Sequence, residues 1–85
     1  MYYFKDDRPT RREKDMLRYC LFTQDETARI LCIAQATVAS HRRRLFQRLS
    51  FFGNTKVTSM KSAMVEALKR RYIRLDEIIM KEGRK

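Results

Sequence analysis

The chain is poor in turn formers, with only 2 Gly and 1 Pro in 85 residues. That supply cannot serve the many tight turns of a small β-sandwich or barrel, and the long apolar and charged stretches between them favour a few helices and an all-α fold. Cysteine is also scarce. Cys20 and Cys32 fall short of the disulfide density of small secreted domains, so a reducing cytoplasm fits best. One histidine, His41, adds at most a third ligand to those thiols without a recognised spacing, so no metal and no cofactor is expected. No hydrophobic run reaches membrane-spanning length. At the start, Met1-Tyr2-Tyr3-Phe4 gives way at once to Lys5-Asp6-Asp7, which is no signal peptide. We expect a soluble protein without a membrane partner.

Catalytic constellations are missing as well. There is no carboxylate pair placed for a cleft, no nucleophile with a base and no glycine loop for phosphate. A chain of this length buries roughly two-thirds of its unfolded surface, enough for one modest core but not for a deep substrate cavity. An enzyme is not expected.

Acids are outnumbered. Against 20 Lys+Arg stand 10 Asp+Glu, a net charge of +10. Such a surplus destabilises the compact state and asks for an acidic partner, with nucleic acid the leading candidate.

The apolar residues recur at helical spacing. Thr10 and Glu13 form a capping-box pattern, and Met16, Leu17, Cys20 and Leu21 then mark a helix ending near Phe22. Thr23 and Glu26 repeat the box, opening a short helix with Thr27, Ala28, Ile30 and Leu31 as inward positions. Cys32-Ile33-Ala34 interrupts, and a third helix runs from about Gln35 to Leu49, with Val38, Leu45 and Leu49 in phase. Two helices joined this closely make a helix-turn-helix candidate.

With Val38 turned to the core and about 100° per residue, the outward face of the third helix is Ala36, Ser40, Arg43 and Gln47, flanked by Ala39 and Arg44. No acid lies between Gln35 and Leu49, whereas Arg42, Arg43, Arg44 and Arg48 do, as expected of an element lying between two phosphate chains. A merely solvated basic face is the alternative. Residues 50–57 hold the only interior Gly, beside an Asn, so a loop is placed there with Phe51 and Phe52 covering the core. A fourth helix is expected from about 58 to 82, carrying Val65, Leu68, Tyr72, Leu75 and Ile79 at the spacing of a helix–helix seam. Its second half overruns so small a core, which favours a dimer interface over folding back. The expected organisation is an arm at 1–9, a domain at 10–82 and a tail at 83–85.

Three stretches, Thr10-Arg11-Arg12-Glu13-Lys14-Asp15-Met16-Leu17, Glu26-Thr27-Ala28 and Ile33-Ala34-Gln35-Ala36-Thr37-Val38-Ala39-Ser40-His41, resemble the LuxR/GerE-type helix-turn-helix family from residue 9 to about 70. Thr37-Val38-x-x-His41 is the most specific part. The resemblance implies a stand-alone bacterial four-helix domain that binds double-stranded DNA as a transcriptional regulator. Its third helix would enter the major groove and its fourth, with an extended C-terminal part, would pair two copies into a homodimer. Position by position it puts Ala39, Ser40 and Arg43 at base edges. Thr37, His41, Arg42, Arg44, Gln47, Lys56 and Lys61 would lie near phosphates or flank the groove.

The departures are specific: Cys32 replaces the turn glycine, Ala34 the capping Ser, Thr27 an Ile of the second helix, and Ala39 the common base-reading Lys. Losing the cap costs on the order of 1 kcal/mol, and losing the Lys removes a purine contact. Two rivals remain at this level. One is a promoter-binding module like region 4 of sigma factors, working beside RNA polymerase. The other is an interaction protein that pairs through the fourth helix with a larger regulator.

Overall fold

The computed structural model describes residues 6–53 and 55–80. The aromatic arm Tyr2-Tyr3-Phe4 and the tail 83–85 lie outside the described residues. Four helices appear in order: α1 Arg11–Arg18, α2 Gln24–Leu31, α3 Gln35–Gly53 and α4 Met60–Lys69, followed by a 3-10 turn at Leu75–Glu77. The all-α expectation holds. α3 is the central element, packing against α1, α2 and α4.

Both expected capping boxes form. Glu13 N–H donates to Thr10 Oγ1 at 3.2 Å while Thr10 N–H donates to Glu13 Oε1 at 3.3 Å; Thr23 and Glu26 do the same at 2.9 and 3.1 Å. Each box satisfies amides that the first helical turn leaves without partners. α1 stops at Arg18 and not near Phe22, because shorter-range bonds from Cys20 N–H to Leu17 O and from Phe22 N–H to Tyr19 O tighten the chain into turns.

α2 ends at Cys32, whose φ of 59° and ψ of 46° are left-handed. The Ile33 and Cys32 amides reach back to the carbonyls of Ala28 and Arg29 at 3.0 and 3.3 Å, the pairing that closes helices where glycine is usual. The turn position identified in the sequence therefore has the backbone of a turn glycine without being one. Thr27, standing where the family has Ile, is fully buried, and its hydroxyl is satisfied by Thr23 O at 2.9 Å. A buried hydroxyl with a partner avoids most of the burial penalty.

The core is built from Met16 and Leu17 of α1, Val38, Leu45 and Leu49 of α3, and Ala63 and Ala67 of α4, all fully buried. The two alanines let α4 approach closely.

Three expectations about the second half need correction. α3 continues past Leu49 to Gly53, where a loop was expected. Its C-terminal end is held from outside: Arg70 Nη2 donates to Leu49 O at 3.0 Å, and a Cβ on Gly53 would stand 1.5 Å from that nitrogen. Phe51 and Phe52 do not cover the core but are 61% and 39% exposed. Once residues 50–52 are helical, the inward direction belongs to Leu45 and Leu49, and the two rings are turned away from it. The core place expected for them goes to Val57, whose amide donates to Ser50 Oγ at 2.9 Å.

The third correction concerns the helix expected over 58–82, which ends at Lys69. Arg71 adopts φ 62°, and the amides of Tyr72 and Arg71 close the helix onto Ala67 O and Leu68 O at 2.9 and 3.2 Å. The chain then doubles back along α1. Ile79 N–H donates to Arg18 O at 2.8 Å, and Lys14 Nζ pairs with Glu77 at 3.3 Å. The driving force is burial of Ile73 and Ile78, 2% and 5% exposed, each contributing about 1.5–3 kcal/mol. Val65, Leu68, Tyr72, Leu75 and Ile79 thus do not form one continuous stripe. Val65 and Leu75 are exposed, while Leu68, Tyr72 and Ile79 are half-buried.

Candidate nucleic-acid interface

α2 and α3 meet at a turn too short to hold apart two independent helices, so side chains fix their angle. Gln35 Nε2, at the start of α3, donates to Asp25 Oδ1 in the first turn of α2 at 3.0 Å. Arg42, two turns further along α3, donates from Nη2 to Phe22 O at 3.1 Å. Burial pulls its guanidinium below the usual range and pushes the neighbouring Cys20 thiol up. Arg42 Nε is enclosed without a hydrogen-bond partner. One of the expected phosphate residues is therefore partly committed to bracing the helix pair.

Arg48 is committed entirely. It is 6% exposed, and its Nε and Nη2 donate to the two oxygens of Glu13, 1% exposed, at 2.6 and 3.2 Å. Its third nitrogen donates to Asp6 O. The expectation that Arg48 adds to a phosphate-facing surface is corrected: its place on α3 lies between Leu45 and Leu49, on the core side, where only an ion pair makes a guanidinium tolerable.

What remains outward on α3 is the face derived from the helical turn angle. Ala36, Ser40, Arg43 and Gln47 are exposed, as are Thr37 and Arg44, while Ala39 and His41 are half-buried. Ala34 at the helix entry has no side-chain acceptor for the first-turn amides, and no acid stands in that turn.

Two concavities border this face and a third adjoins them through Lys56 and Ser59. One, of about 530 Å³, brings Arg43 and Gln47 against Lys56 over a floor of Phe46, Phe51 and Val57. A second joins Ala39, Arg42 and Arg43 to Gln24 and Ser59 at the entries of α2 and α4. The third sets Lys56 beside Lys61 at the α4 entry. Thr37, Ser40, His41 and Arg44 line none of these three. Gln24, which follows the Thr23 cap, and Ser59, which caps α4, were not among the expected site residues, and only the third dimension brings them beside α3.

Many of the surface cations are paired. Arg12, Lys14, Arg29, Lys69, Arg70 and Arg74 pair with carboxylates on α1, α2, α4 and the C-terminal turn. Among the described residues, Arg43, Lys56 and Lys61 form no ion pair, and α3 carries no acid. The family model of bacterial regulatory proteins of the luxR type matches residues 9–61. The chain belongs to the LuxR family. No curated protein and no solved structure shows significant similarity to it. As a LuxR-family protein it is a DNA-binding helix-turn-helix regulator and not an enzyme, and its four-helix architecture is the family's. No helix among the described residues is long and apolar enough to cross a membrane.

Proposed function

We propose that this LuxR-family domain regulates transcription by reading the major groove of duplex DNA with α3. The observation that carries the reading is the outward face of α3, free of acids and continuous with Lys56 and Lys61, cations that form no ion pair among the described residues. Arg43 is the principal reader, because its planar fork can bond guanine O6 and N7 together. Ser40 offers a hydroxyl to either kind of base edge and Ala39 an apolar contact for a thymine methyl. Thr37, His41, Arg44 and Gln47 flank the groove, while Arg42 presents only the part of its guanidinium that Phe22 does not hold. Lys56 and Lys61 set register on the backbone without choosing sequence.

Two copies act together on a near-symmetric site in this proposal, with half-sites about one helical turn apart. Exposed Val65 on α4 is the centre of the pairing surface in this proposal. RNA polymerase or another regulator would act on the DNA-bound pair. The test is selection of retained fragments from sheared genomic DNA by the protein and by Arg43→Ala. An enriched two-part motif that disappears in the variant supports the reading; retention without a motif, or a motif that survives in the variant, refutes it.

A further inference from the structure

The concavity between α3 and residues 55–58 has a feature that DNA binding does not use. Its floor is apolar, made by Phe46, Phe51 and Val57, while Arg43 and Lys56 stand on it with no acid among the residues lining it. A duplex offers Arg43 a base edge in the groove and Lys56 a phosphate, and neither polar group gains by being desolvated onto aromatic rings. The groove is open to solvent along its length, with Phe51 exposed on its floor, a shape that receives apolar side chains from a helix laid across it.

We propose that this groove docks an acidic amphipathic helix of a partner protein, and that docking excludes DNA. The proposal rests on the assignment of Arg43 to the DNA face. An apolar side chain of the partner would sit on Phe46, Phe51 and Val57, and carboxylates one helical turn to either side would meet Arg43 and Lys56, the anchor spacing of helix-in-groove recognition. Charge complementarity selects the occupant: the rims are cationic and the chain carries +10, so a second copy of this chain would bring like charge to the site. Because Arg43 belongs to both the groove and the outward face of α3, one occupant removes the other. The device turns a DNA reader off without a separate sensing site.

The test uses the full chain and a fluorescein-labelled peptide with Glu at most positions and Phe and Leu at three- and four-residue spacing. Two controls accompany it: the same composition with the spacing scrambled, and a peptide of equal charge with Ser for Phe and Leu. The expected result is affinity at least about tenfold tighter than either control, a difference of about 1.4 kcal/mol. Amide shifts should centre on Ser50, Val57 and Thr58, and labelled duplex should be displaced. Phe51→Ser and Lys56→Glu, both at exposed positions, should each weaken the peptide about tenfold with unchanged thermal unfolding.

Equal binding of the controls, or shifts centred on α1, overturns the proposal. So does concentration-dependent broadening at Val57 without peptide, which would seat a second copy there. Tighter peptide binding after Tyr2, Tyr3 and Phe4 are changed to Ser would assign the groove to the chain's own N-terminal residues and also overturn it. Absence of duplex binding in the peptide-free arm counts against the DNA reading alone, since the shift map still decides the groove. Duplex binding that survives saturating peptide overturns the exclusion.

Discussion

Cys32 and Arg71 each hold a left-handed backbone, φ 59° and 62°, which glycine adopts without a Cβ penalty and other residues adopt at about 1–2 kcal/mol. Cys32→Gly relieves that penalty but adds freedom to the unfolded chain, so the net gain should be about 0.5–1 kcal/mol. Calorimetry should show a rise of a few degrees in the unfolding midpoint; a fall would mean that the thiol contributes more than its weak contact with Arg29 O. Arg48 and Arg43 make the opposite pair. Truncating Arg48 to Ala strands the buried Glu13 carboxylate and should cost about 3–5 kcal/mol, whereas Arg43→Ala should stay within about 0.5 kcal/mol of the parent stability. Denaturant unfolding of the two variants separates a structural arginine from a reading one. The difference was legible in the sequence. Glu13 falls in phase with Met16, Leu17 and Cys20, and Arg48 sits beside Leu45 and Leu49, so an acid and a base each occupy an apolar stripe. Reading Arg48 with the neighbouring run of arginines hid that phase.

At the level of elements, the starts of the first three helices could be read from sequence, because α1 and α2 each begin at a hydroxyl with a glutamate in register and Cys32 separates the second from the third. The C-terminal third could not. Three- and four-residue steps from Val65 to Ile79 fit a continuous helix as well as they fit α4 plus a returning strap. What decides between them is the burial of Ile73 and Ile78, which a straight helix would carry away from α1. Ile78→Ala should therefore cost about 2–4 kcal/mol and strip hydrogen-exchange protection from the Ile79 amide, while the first three helices keep theirs. The strap also has an acid sensitivity of known sign. Partial burial pulls the Glu77 carboxyl upward, but it is outweighed by the Lys14 ammonium and the Arg74 amide, leaving the group below its usual range. A carboxyl depressed in the folded state contributes stability above its unfolded pKa and loses it as pH falls through the folded one. Ile79 protection should fall on acidification below the ordinary carboxylate range, and Lys14→Met should move that loss to higher pH. Protection indifferent to pH would mean that Ile78 alone holds the strap.

For the molecule as a whole, the excess of cations makes salt dependence the most informative quantity. Carboxylates on α1, α2, α4 and the strap pair with several of the cations around them, whereas Arg43, Lys56 and Lys61, on the outward face of α3 and at the entry of α4, form no ion pair among the described residues. Each lysine that neutralises a phosphate contributes about 0.9 to the slope of log affinity against log salt. Removing Lys56 and Lys61 together should flatten the slope by about 2 for one bound copy and about 4 for a pair. A single titration series thus tests the phosphate assignment and the number of copies at once. Specificity should respond independently: the double lysine variant should keep its preferred sequence at low salt with weaker binding throughout, and Arg43→Ala should lose the preference with a much smaller change in slope. If the lysine variant kept the parent slope, both residues would lie off the backbone path. The duplex would then have to approach α3 from the side of Thr37 and Arg44, away from the groove on Phe46.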